Sequence, residues 1–215
     1  MKTNKKRSFI DVFNPMIKEL GSATSAELSS FYAGDGFEAF RDYIYNPSGT
    51  SEAVADMLAG QGTTSVIWNI KSENERELVA YFTLAANVLP YYDGIEDDDF
   101  SLSNYPAISV ADVKMFAVSE KYQDVFCKEN STELPVAAKC LQLVIGYINN
   151  LSYNNISIQA IYLHSIPTAE KFYLNNGFLY IPSSATPLFS VDKANKEMWL
   201  PIRKVLLEND DEKSG

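Results

Sequence analysis

The sequence predicts an α/β (α+β) fold in which one mixed central sheet carries helices on both faces. Residues 63–88 hold two β-rich runs around a polar turn, which is the pattern of an antiparallel hairpin. Residues 108–163 then hold a strand, an amphipathic helix and another strand. That order requires a parallel crossover connection, which is expected to be right-handed. A hairpin followed by a parallel pair makes the sheet mixed.

The first sixty residues are expected to be mainly helical. The segment 8–20 begins as a strand that Pro15 keeps short or irregular. Thr24 or Ser25 offers an N-cap to the first helix. Three helices are expected in this region, at residues 25–32, 37–45 and 51–58.

The remaining elements follow from a change of period along the chain. Apolar residues recur with helical spacing between 136 and 149, which predicts an amphipathic helix. A short helix is expected at 168–176. Strands are expected at residues 63–70, 78–88, 108–118, 156–163, 178–181 and 198–202.

Composition favours a globular, cytoplasmic protein. Apolar residues make up 46% of the chain, and no apolar run is long enough to span a membrane. The basic start lacks the apolar segment of a signal peptide. The two cysteines, Cys127 and Cys140, form no disulfide framework, so a reducing cytosol is the default. A single histidine and these two thiols fit no zinc spacing, so no metal is expected.

The whole chain, 1–215, is expected to form a single domain. Residues 1–7 and 208–215 are interpreted as disordered tails, and 90–105 as an acidic loop. The net charge of -10 disfavours a nucleic-acid partner, although a charged tRNA stays possible. The acidic runs could also form a docking surface for a basic protein partner.

Residues 169–178 carry the most informative motif, Ala-Glu-Lys-Phe-Tyr-Leu-Asn-Asn-Gly-Phe. Gly177 suits the position after a helix, where a left-handed backbone is required. The stretch resembles the A-x-x-F-Y-x-x-x-G-F signature of GNAT-type N-acetyltransferases. The resemblance implies acetyl-CoA as co-substrate and places Phe172 and Tyr173 beside the thioester, with Tyr173 as general acid. Its alternative is a tyrosine buried for packing.

The order of elements between residues 25 and 202 also resembles the GNAT order, and this implies that the fourth and fifth strands are parallel and splayed. In that family the exposed backbone of the fourth strand binds the pantetheine arm. The corresponding residues here are Met115, Phe116, Ala117 and Val118. Residues 31–40 and 80–84 are loosely similar to a branch of acetyltransferase toxins from toxin–antitoxin pairs, which acetylate aminoacyl-tRNA.

The pyrophosphate loop departs from the family pattern, Q/R-x-x-G-x-G/A. Gln123 matches the glutamine, but Phe126 and Lys128 occupy the two glycine positions, and the loop continues through 129–135. Glycine allows the backbone to approach phosphate closely. Either the free amides before the next helix bind the phosphates with Lys128 as counter-charge, or CoA binding has been lost. The residues expected to contribute amides or a helix cap are Asn130, Ser131 and Thr132.

No general base stands out in the sequence. Asp112 and Glu170 cannot be assigned by alternation, and His164 ends the fifth strand. The cysteines have no activating neighbours and are not expected to be nucleophiles. Two functions therefore remain open: acetyl transfer from acetyl-CoA to an amine of unknown class, or a binding module on a degenerate GNAT-like fold.

Overall fold

The computed structural model describes residues 8–90, 107–129, 132–154, 156–181 and 195–202. The predicted tails at 1–7 and 208–215 lie outside these ranges, as does nearly all of the acidic loop. Asn130 and Ser131 also lie outside them.

Strands and helices alternate along the described chain much as the periodicity predicts. The strands are β1 (Ser8–Phe9), β2 (Pro15–Glu19), β3 (Thr63–Ser72), β4 (Glu75–Pro90), β5 (Ala107–Val118), β6 (Val125–Glu129), β7 (Thr132–Pro135), β8 (Ala160–Ser165), β9 (Leu179–Tyr180) and β10 (Lys196–Pro201). The α-helices are α1 (Ser25–Ser29), α2 (Glu38–Ile44), α3 (Glu52–Leu58), α4 (Glu120–Gln123), α5 (Val136–Asn154) and α6 (Glu170–Asn175). A 3₁₀ turn covers Leu20–Ser22. No helix in the described ranges has the length and apolar character needed to cross a membrane.

The main sheet is mixed and flanked by helices, as predicted. Its seven strands run in the order β2-β3-β4-β5-β8-β10-β9. β2 and β4 pair antiparallel with β3, and β10 pairs antiparallel with β8 and β9. β5 and β8 pair parallel, which confirms the predicted crossover around α5. β5 and β8 are the fourth and fifth strands of this sheet in chain order.

Packing divides the chain into two compact units. Unit 1 comprises residues 1–85 and 114–144, and unit 2 comprises residues 86–113 and 145–215. Three elements, β4, β5 and α5, contribute to both units. The single domain expected from the sequence stays a prediction.

Each unit has its own buried apolar cluster. In unit 1, helices α1 to α3 cover one face of the strands with aromatic and branched side chains. This cluster includes Leu20, Phe31, Tyr43, Ile44, Val66, Trp68 and Tyr81. In unit 2, the cluster comprises Leu89, Val110, Ala160, Tyr162 and Trp199.

The segment after β5 differs from its prediction. The sequence predicts a loop through 124–135, whereas β6 and β7 form an antiparallel hairpin that runs directly into α5. β1 adds to β6 in parallel, so a separate three-stranded sheet forms. The Phe126 ring packs 5.9 Å from that of Phe9, and Cys127 is buried. A pairing with the distant β1 is invisible to local periodicity, and it gives the β-favouring residues of this segment a partner.

Candidate active site

The end of β5 extends beyond its parallel ladder. The pairs between β5 and β8 run from Val110–Ala160 to Val113–Leu163, and both strands continue after the last pair. The ladder therefore ends before either strand does. The four residues expected to bind the pantetheine arm all lie on the part of β5 that is beyond this ladder. These residues are Met115, Phe116, Ala117 and Val118.

The turn after β5 is held by backbone hydrogen bonds within unit 1. The Ser119 amide donates to the carbonyl of Val79, and the Glu120 amide donates to that of Tyr32. Gln123 donates through its side-chain amide to the Val118 carbonyl at 2.9 Å and to a second carbonyl, that of Ala33, at 2.8 Å. The glutamine that matches the family pattern thus joins the end of β5 to the segment before α2.

The helix expected to receive an anion begins where predicted, but its approach is a strand. α5 starts at Val136, immediately after Pro135 ends β7. Thr132 cannot cap this helix, because it belongs to β7 and pairs with Glu129 across the hairpin. The expectation that Thr132 caps α5 was therefore wrong, because Thr132 lies in a strand ladder and not in the irregular backbone directly before the helix. No acidic side chain lies in the first turn of α5, which favours an anion there.

Lys128, the expected counter-charge, lies exposed on β6 and pairs across the ladder with Glu133. The Lys139 ammonium lies in the first helical turn and forms an ion pair with Glu129. Each of these two cations therefore has a carboxylate as its neighbour, so the positive and negative charges around the hairpin largely cancel.

Tyr173 is placed by the end of α6. The Phe178 amide donates to the Tyr173 carbonyl, and the Gly177 amide donates to the Leu174 carbonyl. This is the Schellman pattern of a helix C-terminus, and Gly177 provides its positive φ of 88°. The Tyr173 ring lies 5.2 Å from that of Phe172 and 5.5 Å from that of Phe178. The sequence predicts this stop from the same residues.

Burial shapes the chemistry of Tyr173. The side chain is 8% exposed, and burial raises the pKa of the phenol. The hydroxyl therefore keeps its proton at neutral pH, which is the form a general acid requires.

A polar face on the strands of unit 2 was only partly foreseen. Asp112 on β5 lies opposite Tyr162 on β8, and His164 on β8 lies opposite Glu197 on β10. The Tyr162 hydroxyl lies 2.7 Å from His164 Nε2. Asn87 donates to Asp112 at 3.3 Å. Sequence alternation left Asp112 unassigned and did not select Tyr162 or Glu197, because the face depends on strand register.

Unit 1 also contains a cavity of about 400 Å³. Arg76 pairs with Glu27 at 3.0 Å, and Lys121 pairs with Glu77. These ion pairs neutralise most of the lining charge, so the cavity has no clear preference for an anion. Its lining is Glu27, Ser30, Phe31, Tyr32, Arg76, Glu77, Leu78, Ser119, Glu120 and Lys121.

Comparison with known proteins identifies similar folds. No family model matches the sequence, and no curated protein matches it. A solved bacterial toxin aligns with a TM-score of 0.60 at 16% identity, covering 90% of this chain and 92% of its own. AtaT complexed with acetyl-methionyl-tRNAfMet aligns at 0.57 and 15% identity, covering 87% and 95%. A tyrosine-to-phenylalanine mutant of AtaT, bound to acetyl-CoA and the C-terminus of the antitoxin AtaR, aligns at 0.56 and 14%, covering 87% and 92%.

These likenesses define the class of fold. The chain has the GNAT-like fold of these toxins along most of its length. At such low identity, the comparison is evidence for the fold alone.

Proposed function

We propose that this protein is an acetyl-CoA-dependent N-acetyltransferase that acts on an amine acceptor. The observation that carries this proposal is the parallel ladder of β5 and β8, which ends after four pairs while both strands continue. In a GNAT-like sheet, the part of the fourth strand that continues beyond such a ladder is where a thioester would bind. The AtaT complex with acetyl-CoA is similar over most of its length, which supports the same cofactor here.

The donor would lie along the part of β5 that continues beyond its ladder with β8. The arm would follow the backbone of Met115 to Val118, and the pyrophosphate would lie at the 128–133 segment that precedes α5. Lys128 and the amides of Asn130, Ser131 and Thr132 would bind the phosphates. Because the two glycines of the usual loop are absent, we expect weaker donor binding than a glycine loop allows.

Transfer requires two proton movements. The amine nitrogen attacks the thioester carbon, a C–N bond forms and the C–S bond breaks. Tyr173 donates its phenol proton to the departing sulfur as charge develops there, and Phe172 packs beside it. The acceptor amine must lose one proton in the same reaction.

Three classes of amine are candidates for the acceptor. The AtaT complex with acetyl-methionyl-tRNAfMet makes an aminoacyl-tRNA amine one candidate. The chain's net charge of -10 opposes tRNA binding and favours a basic protein or a small polyamine. An antitoxin-like protein partner is suggested by the AtaT complex with AtaR, and such pairs would act in the cytoplasm.

A second function is a binding module without catalysis. The observation that favours it is the hairpin of β6 and β7, which occupies the place of the glycine loop and pairs its backbone internally. A pyrophosphate would then find fewer free amides than a GNAT loop offers.

The deciding experiment combines calorimetric titration with acetyl-CoA and a thiol-release assay. The acceptors are an aminoacyl-tRNA, a lysine-containing peptide and a polyamine. We expect saturable acetyl-CoA binding and thiol release that depends on one acceptor. Tyr173→Phe keeps the ring and should bind acetyl-CoA equally, but its turnover should fall about 10²–10⁴-fold. Equal turnover by Tyr173→Phe and the wild type would remove Tyr173 from the mechanism. If the wild type does not bind acetyl-CoA, the second function, a binding module without catalysis, remains.

A further inference from the structure

Three hydrogen-bonded side chains in unit 2 carry an inference that rests on the proposed function. Tyr162 and His164 lie two residues apart on β8, so their side chains share one face of the sheet. Glu197 is the ladder partner of His164, and Asp112 is the partner of Tyr162. The only histidine in the chain therefore stands beside a phenol, with carboxylates on both neighbouring strands.

The distances between these groups decide which atom donates and which accepts in each hydrogen bond. Tyr162 Oη lies 2.7 Å from His164 Nε2 and 3.5 Å from Glu197 Oε1. A carboxylate can only accept, so a phenol hydrogen aimed at Glu197 satisfies both oxygens. The phenol oxygen then accepts the hydrogen of Nε2. The opposite arrangement would place two oxygen lone pairs face to face.

This direction sets the tautomer of the imidazole. With the ring hydrogen on Nε2, the lone pair resides on Nδ1. His164 is exposed, and its Nδ1 makes no hydrogen bond to the residues that the structure describes. Tyr162 is 1% exposed, and its burial, with the charges of Glu197 and Asp112, raises its pKa, so it keeps its proton.

The imidazole of His164 also lies at the end of the parallel ladder between β5 and β8. Leu163 forms the last pair of the parallel ladder with Val113, and His164 is the next residue on β8. In the proposed reaction, the thioester lies at the end of this ladder. An exposed ring nitrogen with no hydrogen-bond partner among the described residues therefore lies one residue beyond the ladder end at which the proposed reaction occurs.

We propose that His164 is the general base of the transfer. Its Nδ1 accepts the proton that the amine nitrogen loses when the C–N bond forms, and Tyr173 supplies a proton to the sulfur when the C–S bond breaks. The imidazolium then returns its proton to solvent. Tyr162 and Glu197 are positioning residues, because they hold the tautomer and the Glu197 carboxylate stabilises the imidazolium through the phenol.

His164→Gln gives the first test. Glutamine keeps an N–H that can reach Tyr162, but it has no basic nitrogen. We expect turnover to fall about 10²–10⁴-fold while acetyl-CoA affinity is unchanged. Free imidazole should restore part of the turnover of His164→Ala, which a purely structural role would not allow. Lys196→Gln is the matched control, since Lys196 is an exposed neighbour of Glu197 on β10, and it should keep the wild-type rate.

Nitrogen NMR gives a second test that needs no turnover, because the single histidine produces a single imidazole signature. The neutral ring should carry its hydrogen on Nε2, and Tyr162→Phe should lose this preference. A wild-type ring protonated on Nδ1, or a His164→Gln rate equal to wild type, would overturn the inference alone. No transfer by the wild type to any acceptor would remove the proposed function and this inference together.

Discussion

At the scale of single residues, Glu77 shows how a partly buried charge is compensated. Burial alone would raise its pKa, but hydrogen bonds from Lys121 and Tyr122, together with Lys71, outweigh burial and lower the pKa to about 2. The Tyr122 hydroxyl donates at 2.6 Å. The carboxylate thus joins β3, β4 and α4 within unit 1.

The pH dependence of stability should reveal this carboxylate. Its pKa is lower in the folded protein than in the unfolded chain, so its contribution is complete above about pH 4.5 and is lost as the pH falls towards 2. Glu77→Gln should reduce the free energy of unfolding at pH 6 by roughly 2 kcal/mol, discounted for partial exposure. The difference from wild type should shrink by pH 3, as measured by urea unfolding.

Glu75→Gln is the matched control for that series. Glu75 pairs with Lys71 at 3.2 Å on an exposed surface, where ion pairs contribute about 0–1 kcal/mol. A Glu77 effect no larger than the Glu75 effect, or one that grows on acidification, would contradict the assignment.

At the scale of elements, the glycine that ends α6 and the glycine inside α5 differ in whether the backbone requires them. Gly177 ends α6 with a φ of 88° and places the carbonyl of Tyr173 in its hydrogen bond to Phe178. Gly146 lies exposed in the middle of α5, and an added Cβ there would meet no atom within 4 Å other than its chain neighbours and the nearby backbone of its own helix. Only the first glycine is required by the backbone.

Alanine at the two positions should therefore change stability in opposite directions. Gly177→Ala forces a left-handed alanine and should cost about 1–2 kcal/mol of unfolding free energy. Gly146→Ala should stabilise by about 0.5–1 kcal/mol, because glycine is a poor helix former. Thermal and urea unfolding of both variants measure this, and a stabilised Gly177→Ala would disprove the role of the helix stop.

The hairpin of β6 and β7 is the element that departs from the GNAT pattern. Val125, Phe126 and Thr132 favour strands, and β1 supplies the edge to which β6 pairs. Phe126 therefore packs on Phe9, instead of occupying a loop position that needs glycine. The replacement explains why the helix N-terminus persists while the loop before it changes.

At the scale of the whole molecule, acetyl-CoA should stabilise the fold if the proposed site binds it. A ligand that binds only the folded state adds free energy by mass action, about 2.7 kcal/mol at 100-fold excess over Kd. The melting temperature should rise with acetyl-CoA concentration, and desulfo-CoA should serve as a control for the thioester. A melting temperature unmoved by millimolar acetyl-CoA would favour the module without catalysis.

Local pattern determined much of this protein. The N-cap at Thr24, the apolar stripe of α5 and the glycine stop after Tyr173 each depend on residues close together in the chain, so periodicity and cap chemistry predict them. The order of these elements also determined the mixed sheet, because a strand-helix-strand connection requires a parallel pair.

The tertiary structure alone decided which side chains meet. His164 acquires Glu197 as a partner only through the register of β8 and β10, and Asp112 meets Tyr162 only through the short ladder of β5 and β8. The pairing of β1 with β6, which turned an expected loop into a sheet, has the same origin. Register depends on how distant strands pack, and a shift of one residue would turn each of these side chains to the other face.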